Sequence, residues 1–526
     1  MPSATHIYYL LSASHREGVT ALLSQISPCP GLFYPTPAQD GLLYRIRIPG
    51  GMLNSQQLRA IANIADQYGG NYADVTNRAN LQIRELSQDI HKEVLKSLQD
   101  LGLAARNPAV DHIRNIMTSP TASIDLYELI DTRPFVQGWE NYITAHPELS
   151  RLSAKFSVCF DGGGIVSVCD AGSGQSQRLN DITLAAVLVD GQVYFRLHLS
   201  VGAGGEPPRD TGILLPTKRY LPVLAALTDI YLEHTDITSK RKLRLRDLLN
   251  TLGSDNYLQQ VQQRLPFSLF VHQQRQDLTY HVSTKNYQHI GIHPQRQADL
   301  FYIGVVLPLG RLETFQMRGL ANLAAKYGSA NLRLTPWQNL LITDIPQQWV
   351  ADVKREIAAL GLDCSPRNIN SALVACSGNT GCAASATDTK SDALALAEYI
   401  STHVTLNHPI NIHLSGCSKS CAQHSQSEIT LLGVTHHNNT GYRVYVGDGE
   451  SNQQFGRELY PAVTTAELPK LLEQMLQVYQ RQRIDPHETF REFTNRHAIA
   501  QLKHLFTLST LTAIFIFLPL RLCAFA

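Results

Sequence analysis

The chain has 526 residues, with 45 Lys and Arg against 44 Asp and Glu and a formal net charge of +1. That balance excludes a general nucleic-acid binder, which carries a basic excess, but leaves room for a locally basic pocket. Hydrophobic residues at 44% and charged residues at 17% exclude disorder over most of the chain. Nine Cys are too sparse for a disulfide scaffold, and the length predicts roughly three domains.

The N-terminal stretch MPSATHIYYLLSASHREG lacks a basic n-region, so a cytoplasmic location is expected. In that reducing compartment, grouped cysteines point to metal or redox chemistry rather than to disulfides.

An internal repeat organises the chain. Leu53–Ile83 (LNSQQLRAIANIADQYGGNYADVTNRANLQI) matches Leu312–Ile342 (LETFQMRGLANLAAKYGSANLRLTPWQNLLI) without a gap, at a constant offset of 259 residues. Shared pairs include Arg59/Arg318, Asn63/Asn322, Gly69/Gly328, Thr76/Thr335 and Asn80/Asn339. Each unit opens on a strand-like run ending in Pro/Gly (YRIRIPGG, FYIGVVLPLG). Leu58, Ile61, Ala62 and Ala65 then recur at helical spacing, as do Met317, Leu320, Ala321 and Ala324. A second strand follows, so each unit is strand–helix–strand.

The fold class predicted is therefore α+β with two pseudo-equivalent halves. In chain order the segments are a first repeat over 1–110, an α+β domain over 111–240, a helical linker over 241–290, a second repeat over 291–365, a second α+β domain over 366–490, and a terminal helix with an apolar tail over 491–526. The tail from Leu505 is uncharged up to Leu520 and ends in RLCAFA. It is marginal for spanning a bilayer, so a dispensable extension, a membrane-surface anchor and a docked tail all stay open.

Four cysteines stand in two short loops of the second half: Cys376 and Cys382 in CSGNTGC, Cys417 and Cys421 in CSKSC. Four thiolates serve a [4Fe–4S] cube, one per iron. Zinc knuckles use tighter Cys-x2-Cys pairs, so the wider spacings favour the cube. Cys29, Cys159, Cys169, Cys364 and Cys523 have no partner spacing and read as structural.

The first half lacks this quartet and carries cations instead. Arg45 and Arg47 alternate on one strand and face one side. Arg78 and Arg84 are assigned to the second strand of the repeat, Arg114 to a small-residue loop and Lys155 to the strand before DGGG (Asp161–Gly164). Converging cations suit a polycarboxylate ligand. The second half has Trp337 where the first has Arg78, and Arg333 where it has Asp74. DGGG suits either close backbone approach to a ligand or a tight turn. His112, His413 and His424 are expected to be structural, and GDGE at 447–450 is expected to be a turn.

Together YRIRIPGG, QLRAIANIADQYG, DVTNRANLQIRE, HIRN, AKF and the Cys-x5-Cys and Cys-x3-Cys loops resemble the nitrite and sulfite reductase superfamily, from about Gly31 to Val478. The resemblance implies two pseudo-two-fold-related halves with ferredoxin-like repeats around a [4Fe–4S] cluster held by Cys376, Cys382, Cys417 and Cys421. In the reductases that cluster shares a cysteine with sirohaem, by position Cys421. Within the superfamily the chain is most similar to the precorrin-3B synthase branch of cobalamin biosynthesis, on DGGG after AKF, on RLTPWQNLLI, and on Ser157 where sulfite reductases carry a second Lys. The chain reads TNRAN and GCSKSC where ferredoxin reductases read TTRQN and GCPNSC.

That branch implies O2-dependent hydroxylation of precorrin-3A, with Arg45, Arg78, Arg114 and Lys155 pairing tetrapyrrole carboxylates. Electrons would come from a donor such as ferredoxin or a reductase, and a mononuclear iron is an added possibility without an evident ligand set. The alternative is ferredoxin-dependent nitrite or sulfite reduction at sirohaem. A non-enzymatic iron–sulfur carrier is the third reading, disfavoured by the cations.

Overall fold

The computed structural model describes residues 30–168, 180–201, 208–236, 243–272, 287–436, 439–449 and 453–515. Cys29, Cys169, Cys523 and residues 516–526 of the tail lie outside them. The chain divides into two compact units at Ser365/Pro366.

In the first unit, the first repeat supplies β1 (Thr36–Ala38), β2 (Gly41–Ile46), β3 (Met52–Asn54), the helix Ser55–Tyr68, β4 (Tyr72–Val75) and β5 (Leu81–Leu86). Asn54 and Gln57 close a capping box that starts the helix. The α+β domain that follows contains β6 (Ile116–Thr118), β7 (Val158–Asp161), β8 (Ile182–Val189), β9 (Gln192–Val201), β10 (Pro208–Pro216) and β11 (Phe270–Val271). Their sheet order is β11-β10-β9-β8-β7-β6, and β6, β7 and β8 run parallel.

The stretch expected as a helical linker over 241–290 is largely part of this domain. Its helices Leu245–Leu252 and Ser254–Arg264 bury Leu245, Leu248, Leu249, Tyr257 and Val261 in the same core as Phe160, Leu184 and Leu227. The leucine spacing of LRDLLNTL gives one apolar face, and a linker exposed to water would have no use for it.

The second repeat supplies β12 (Gly291–Pro294), β13 (Leu300–Val305), β14 (Arg311–Glu313), the helix Thr314–Tyr327, β15 (Asn331–Leu334) and β16 (Leu340–Pro346). The two repeats exchange strands. One sheet has the order β1-β2-β5-β4-β14 and the other β12-β13-β16-β15-β3. β14 pairs antiparallel with β4, and β3 with β15. Contacts between matched positions are reciprocal: the Ser55 N–H donates to Ala330 O at 2.8 Å, and the Thr314 N–H donates to Asn71 O at 3.0 Å. A single apolar core runs through both repeats, including Leu58, Ile61, Leu320 and Leu323.

Turn chemistry directs the exchanged strands. Gly51 has φ +71° and an added Cβ would stand 2.6 Å from Leu334 O; its counterpart Gly310 has φ +70°, with Val75 O 3.1 Å away. Both glycines permit a left-handed turn against the other repeat's backbone.

The second unit contains β17 (Leu373–Ala375), β18 (Ile412–Ser415), β19 (Ile429–His436), β20 (Asn439–Val446) and β21 (Arg457–Thr464), in that sheet order. β17, β18 and β19 are parallel and the rest antiparallel, the pattern of β6 to β10 again. Helices Thr389–His403 and Leu468–Gln482 contribute Leu396, Ile400, Leu472 and Met475 to its buried residues. The terminal helix Ile499–Phe515 buries Leu502 and Phe506, so the start of the tail is docked. Among the described residues no helix is long and apolar enough to cross a membrane.

Candidate functional site

The four grouped cysteines come together in the second unit. Cys376 follows β17 directly and Cys417 follows β18 after Gly416, at the C-terminal ends of neighbouring parallel strands. The Cys376 N–H donates to Leu414 O at 3.2 Å. The Gly416 N–H donates to Cys376 Sγ at 3.3 Å, and Thr389 Oγ1 lies 3.3 Å from the same sulfur. Burial pushes the Cys421 thiol up, and the nearby Cys417, Cys376 and Cys382 add to the shift. All four sulfurs therefore share one electrostatic neighbourhood.

The surroundings fit a cube. A Cβ on Gly416 would meet Ser385 Oγ at 1.6 Å, and Gly378 turns at φ +68° with Thr389 N 2.9 Å from an added Cβ. The loops thus need glycine to hold the sulfurs in place, and a backbone N–H aimed at a thiolate sulfur is the kind of contact that tunes such centres. Among the described residues no three His, Cys, Asp or Glu stand close enough to hold a single metal ion. A cube does not need that spacing, because each thiolate takes a different corner. A mononuclear iron does, and finds no such set among the described residues.

The cations are less uniform than the sequence predicts. Arg45 lies on β2, half-buried, with Nη2 3.4 Å from Gln82 Oε1. Arg78 is in the turn between β4 and β5 rather than on a strand, because Ala79 adopts φ +54° there. Its Nη1 donates to Ser157 Oγ at 3.0 Å and Asn180 Oδ1 at 2.9 Å, and contacts Met117 Sδ at 3.4 Å. These three acceptors are uncharged. Lys155 is an exposed turn residue ahead of β7, not a strand residue, and has no ion-pair partner among the described residues.

Three other arginines are occupied. Arg84 forms a two-pronged pair with Asp40, at 2.7 and 2.9 Å. Arg47, almost fully buried, bonds Pro30 O and lies 3.8 Å from Asp111. Arg114 is only 3% exposed. Its Nε and Nη2 donate to Glu140 Oε1 at 2.9 and 2.6 Å, Nη2 to Gly102 O at 2.9 Å, and Nη1 lies 3.4 Å from Asp111. Arg114 and Glu140 line a cleft of about 720 Å³ with Gln57, Gln99 and Arg133. Arg114, Lys155 and Asn180 still share one edge, since each precedes one of the parallel strands β6, β7 and β8.

DGGG is taken up by the protein itself. An added Cβ would lie 2.6 Å from Ile130 O at Gly162 and 2.5 Å from Asp125 Oδ2 at Gly164, and Gly163 has φ +74°. Asp161 accepts from the Gly163 and Val168 N–H groups and from Ser167 Oγ. His112 hydrogen-bonds Leu152 O through Nε2 at 3.1 Å, a structural role. Burial pushes His413 down to about 3. In the second repeat, Trp337 stacks on His289 at 4.7 Å where the first repeat has Arg78. Glu140, Asn180, Asp181 and Arg244 enter the site without any sequence motif. Only the first repeat's Arg78, absent from the second, hints at where to look.

The chain was compared with known proteins. The family model described as the nitrite/sulfite reductase ferredoxin-like half domain matches residues 34–101 and 293–360. The nitrite and sulphite reductase 4Fe-4S domain matches 109–269 and 368–509. Ferredoxin–nitrite reductase of Synechococcus elongatus is 28% identical over 463 residues, covering 85% of this chain and 88% of that protein. The enzyme of the same name from Leptolyngbya laminosa is 31% identical, covering 77% and 79%. The Mycobacterium tuberculosis NirA protein shares the fold at a TM-score of 0.74 and 23% identity, over 88% of this chain and 84% of that one. The chain belongs to the nitrite and sulfite reductase family, with two ferredoxin-like half domains and the family's 4Fe-4S domain in both halves.

Proposed function

We propose that this protein reduces nitrite with electrons from ferredoxin, using sirohaem and a [4Fe–4S] cluster. The relatives named above are ferredoxin–nitrite reductases matched over most of their length. The observation that carries the reading is Arg78 held by Ser157 and Asn180. Lys155 is exposed two residues before Ser157, on the same approach to the strand β7.

Sirohaem is a polycarboxylate, and Arg45, Arg78 and Lys155 fit its side chains and an added anion. Arg114 is withdrawn into its pairs with Glu140 and Asp111. Cys376, Cys382, Cys417 and Cys421 would hold the cluster. When bound, the two groups supply electrons one at a time to a ligand on the tetrapyrrole iron. The chain's own part is to bind the anion by charge, fix it against Arg78, and leave Lys155 where a proton can reach the reacting oxygens. Nitrite carries one charge near neutral pH, whereas sulfite is a mixture of its singly and doubly charged forms. A hydroxyl at Ser157, where sulfite reductases carry a Lys, favours the singly charged anion.

Precorrin-3A hydroxylation, the reading favoured by sequence alone, leaned on DGGG. That loop packs against Asp125 and Ile130, and the relatives named above are nitrite reductases. The test is an anaerobic ultraviolet–visible spectrum with acid–acetone extraction, then assays with reduced ferredoxin. Extractable sirohaem and ammonium formed from nitrite are the expected results. Cluster absorption without sirohaem, with turnover of precorrin-3A and O2, would overturn the proposal.

A further inference from the structure

The turn that carries Arg78 and the turn that carries Trp337 match almost bond for bond. In the first, the Thr76 N–H donates to Asn80 O at 2.8 Å, the Ala79 N–H to Thr76 O at 3.0 Å and the Asn80 N–H to Thr76 Oγ1 at 3.1 Å. In the second, the Thr335 N–H donates to Asn339 O at 2.8 Å, the Gln338 N–H to Thr335 O at 2.9 Å and the Asn339 N–H to Thr335 Oγ1 at 3.1 Å. Each asparagine side chain also accepts a backbone N–H: Asn80 Oδ1 from Ile48 at 2.8 Å, Asn339 Oδ1 from Leu307 at 3.1 Å. That bond fixes which end of each amide is the oxygen, so the other end is a donor.

The two donors go different ways. Asn339 Nδ2 turns back into its own turn, to Trp337 O at 3.1 Å. Asn80 Nδ2 reaches across to Asn115 Oδ1 at 3.1 Å. Both partners are buried, at 3% and 6% exposed. Asn115 directly precedes β6, and its carbonyl accepts the Val158 N–H at the start of β7 at 3.4 Å. Ala372 stands at the same place before β17, with its carbonyl accepting the Ile412 N–H at the start of β18 at 3.2 Å. Its methyl group has no oxygen to offer. Asn115 therefore ties the Arg78 turn to the edge of the sheet where β6 and β7 begin. Arg78 Nη1 meets Met117, Ser157 and Asn180 along that edge, on β6 or within two residues of the starts of β7 and β8.

We propose that Asn115 is a positioning residue that anchors the Arg78 turn to the sheet and so sets where the Arg78 guanidinium stands in the anion site. This rests on the proposed function for the part Arg78 plays there. N115A installs the side chain found at Ala372. Asn80 Nδ2 can then fold back onto the Arg78 carbonyl, as Asn339 does onto that of Trp337. The turn keeps its hydrogen bonds and loses its anchor, so the damage falls on the alignment of Arg78.

The test is a double-variant cycle on the full-length protein: parent, N115A, R78A and R78A/N115A. The deciding readout is affinity for uroporphyrin, a tetrapyrrole octacarboxylate, by fluorescence quenching in protein stripped of tetrapyrrole. The second is KM against kcat for nitrite in the holoenzyme, where the N115A change is expected on KM. N115A is expected to weaken uroporphyrin binding about tenfold in the parent, and less than about twofold once Arg78 is alanine. A residue that merely braces the fold gives the same factor in both backgrounds. Equal factors would overturn the proposal, as would unchanged binding in N115A. If N115A does not fold, the same cycle with N115S, whose oxygen is one bond closer to the backbone, decides in the same terms. A parent that shows this coupling but does not reduce nitrite refutes the proposed function and supports the positioning role. A parent that reduces nitrite with equal factors does the reverse.

Discussion

Arg59 donates to Asn322 Oδ1 at 2.8 Å, and its counterpart Arg318 donates to Asn63 Oδ1, also at 2.8 Å. Four residues that match along the sequence thus meet crosswise between the two repeat helices. Arg59 also reaches Ala321 O, and Arg318 also reaches Asp66. These contacts are partly exposed, so R59A and R318A should each cost about 0.5–1 kcal/mol. Urea denaturation of the first unit's transition checks this, and the two losses should be of similar size.

The turn before β3 is more demanding. Gly51 combines φ +71° with Leu334 O 2.6 Å and the Ala79 side chain 2.9 Å from an added Cβ. Gly191 has nearly the same φ, +74°, with nothing within 4 Å. G191A should therefore cost only the backbone term, about 1 kcal/mol, while G51A adds a clash with the other repeat and should cost about 2–4 kcal/mol. Melting temperatures of the two variants, side by side, separate the terms.

Arg114 and Lys155 were drawn together by sequence as carboxylate readers, yet their surroundings differ. R114A would leave Glu140 and the buried Asp111 short of a partner, with an expected cost of about 3–5 kcal/mol. K155A removes an exposed charge and should change stability by less than about 0.5 kcal/mol, while weakening anion binding. Calorimetry and a nitrite titration of the same two proteins would show the opposite ranking in the two measurements.

Glu128 carries a pH signature. Burial pushes its carboxyl up from 4.5 to about 7, outweighing the Ser123 N–H and Arg296 beside it. The folded protein then holds a proton that the unfolded chain has released between about 4.5 and 7. Stability falls as pH rises through that window and levels off above it. In E128Q this part of the slope should disappear, which unfolding midpoints measured from pH 4.5 to 8 would reveal.

The repeat and the cysteine loops were legible because they are written in contiguous residues with fixed spacing. Strand exchange was not, since nothing in RIPGGMLN says which sheet its last residues join; that depends on an edge formed by residues more than two hundred positions away. The cations illustrate a second limit. Arg84 and Arg114 look like Arg78 in the sequence, and only the fold reveals that Asp40, Glu140 and Asp111 come to meet them. DGGG shows a third. Glycine marks close approach, but whether to a ligand or to Asp125 is decided by the loop opposite.

The exchanged strands also set a timetable for biosynthesis. β4 waits for Arg311, 237 residues downstream of Asp74, and Ser55 for Ala330, 275 residues on. At about 5–20 residues per second on the ribosome, the first sheet's edge stays open for on the order of ten to sixty seconds. An unpaired edge is a template for pairing with other chains. The nascent protein therefore has a period of vulnerability built into its topology, one that slower translation lengthens and that a holding chaperone would shorten in effect.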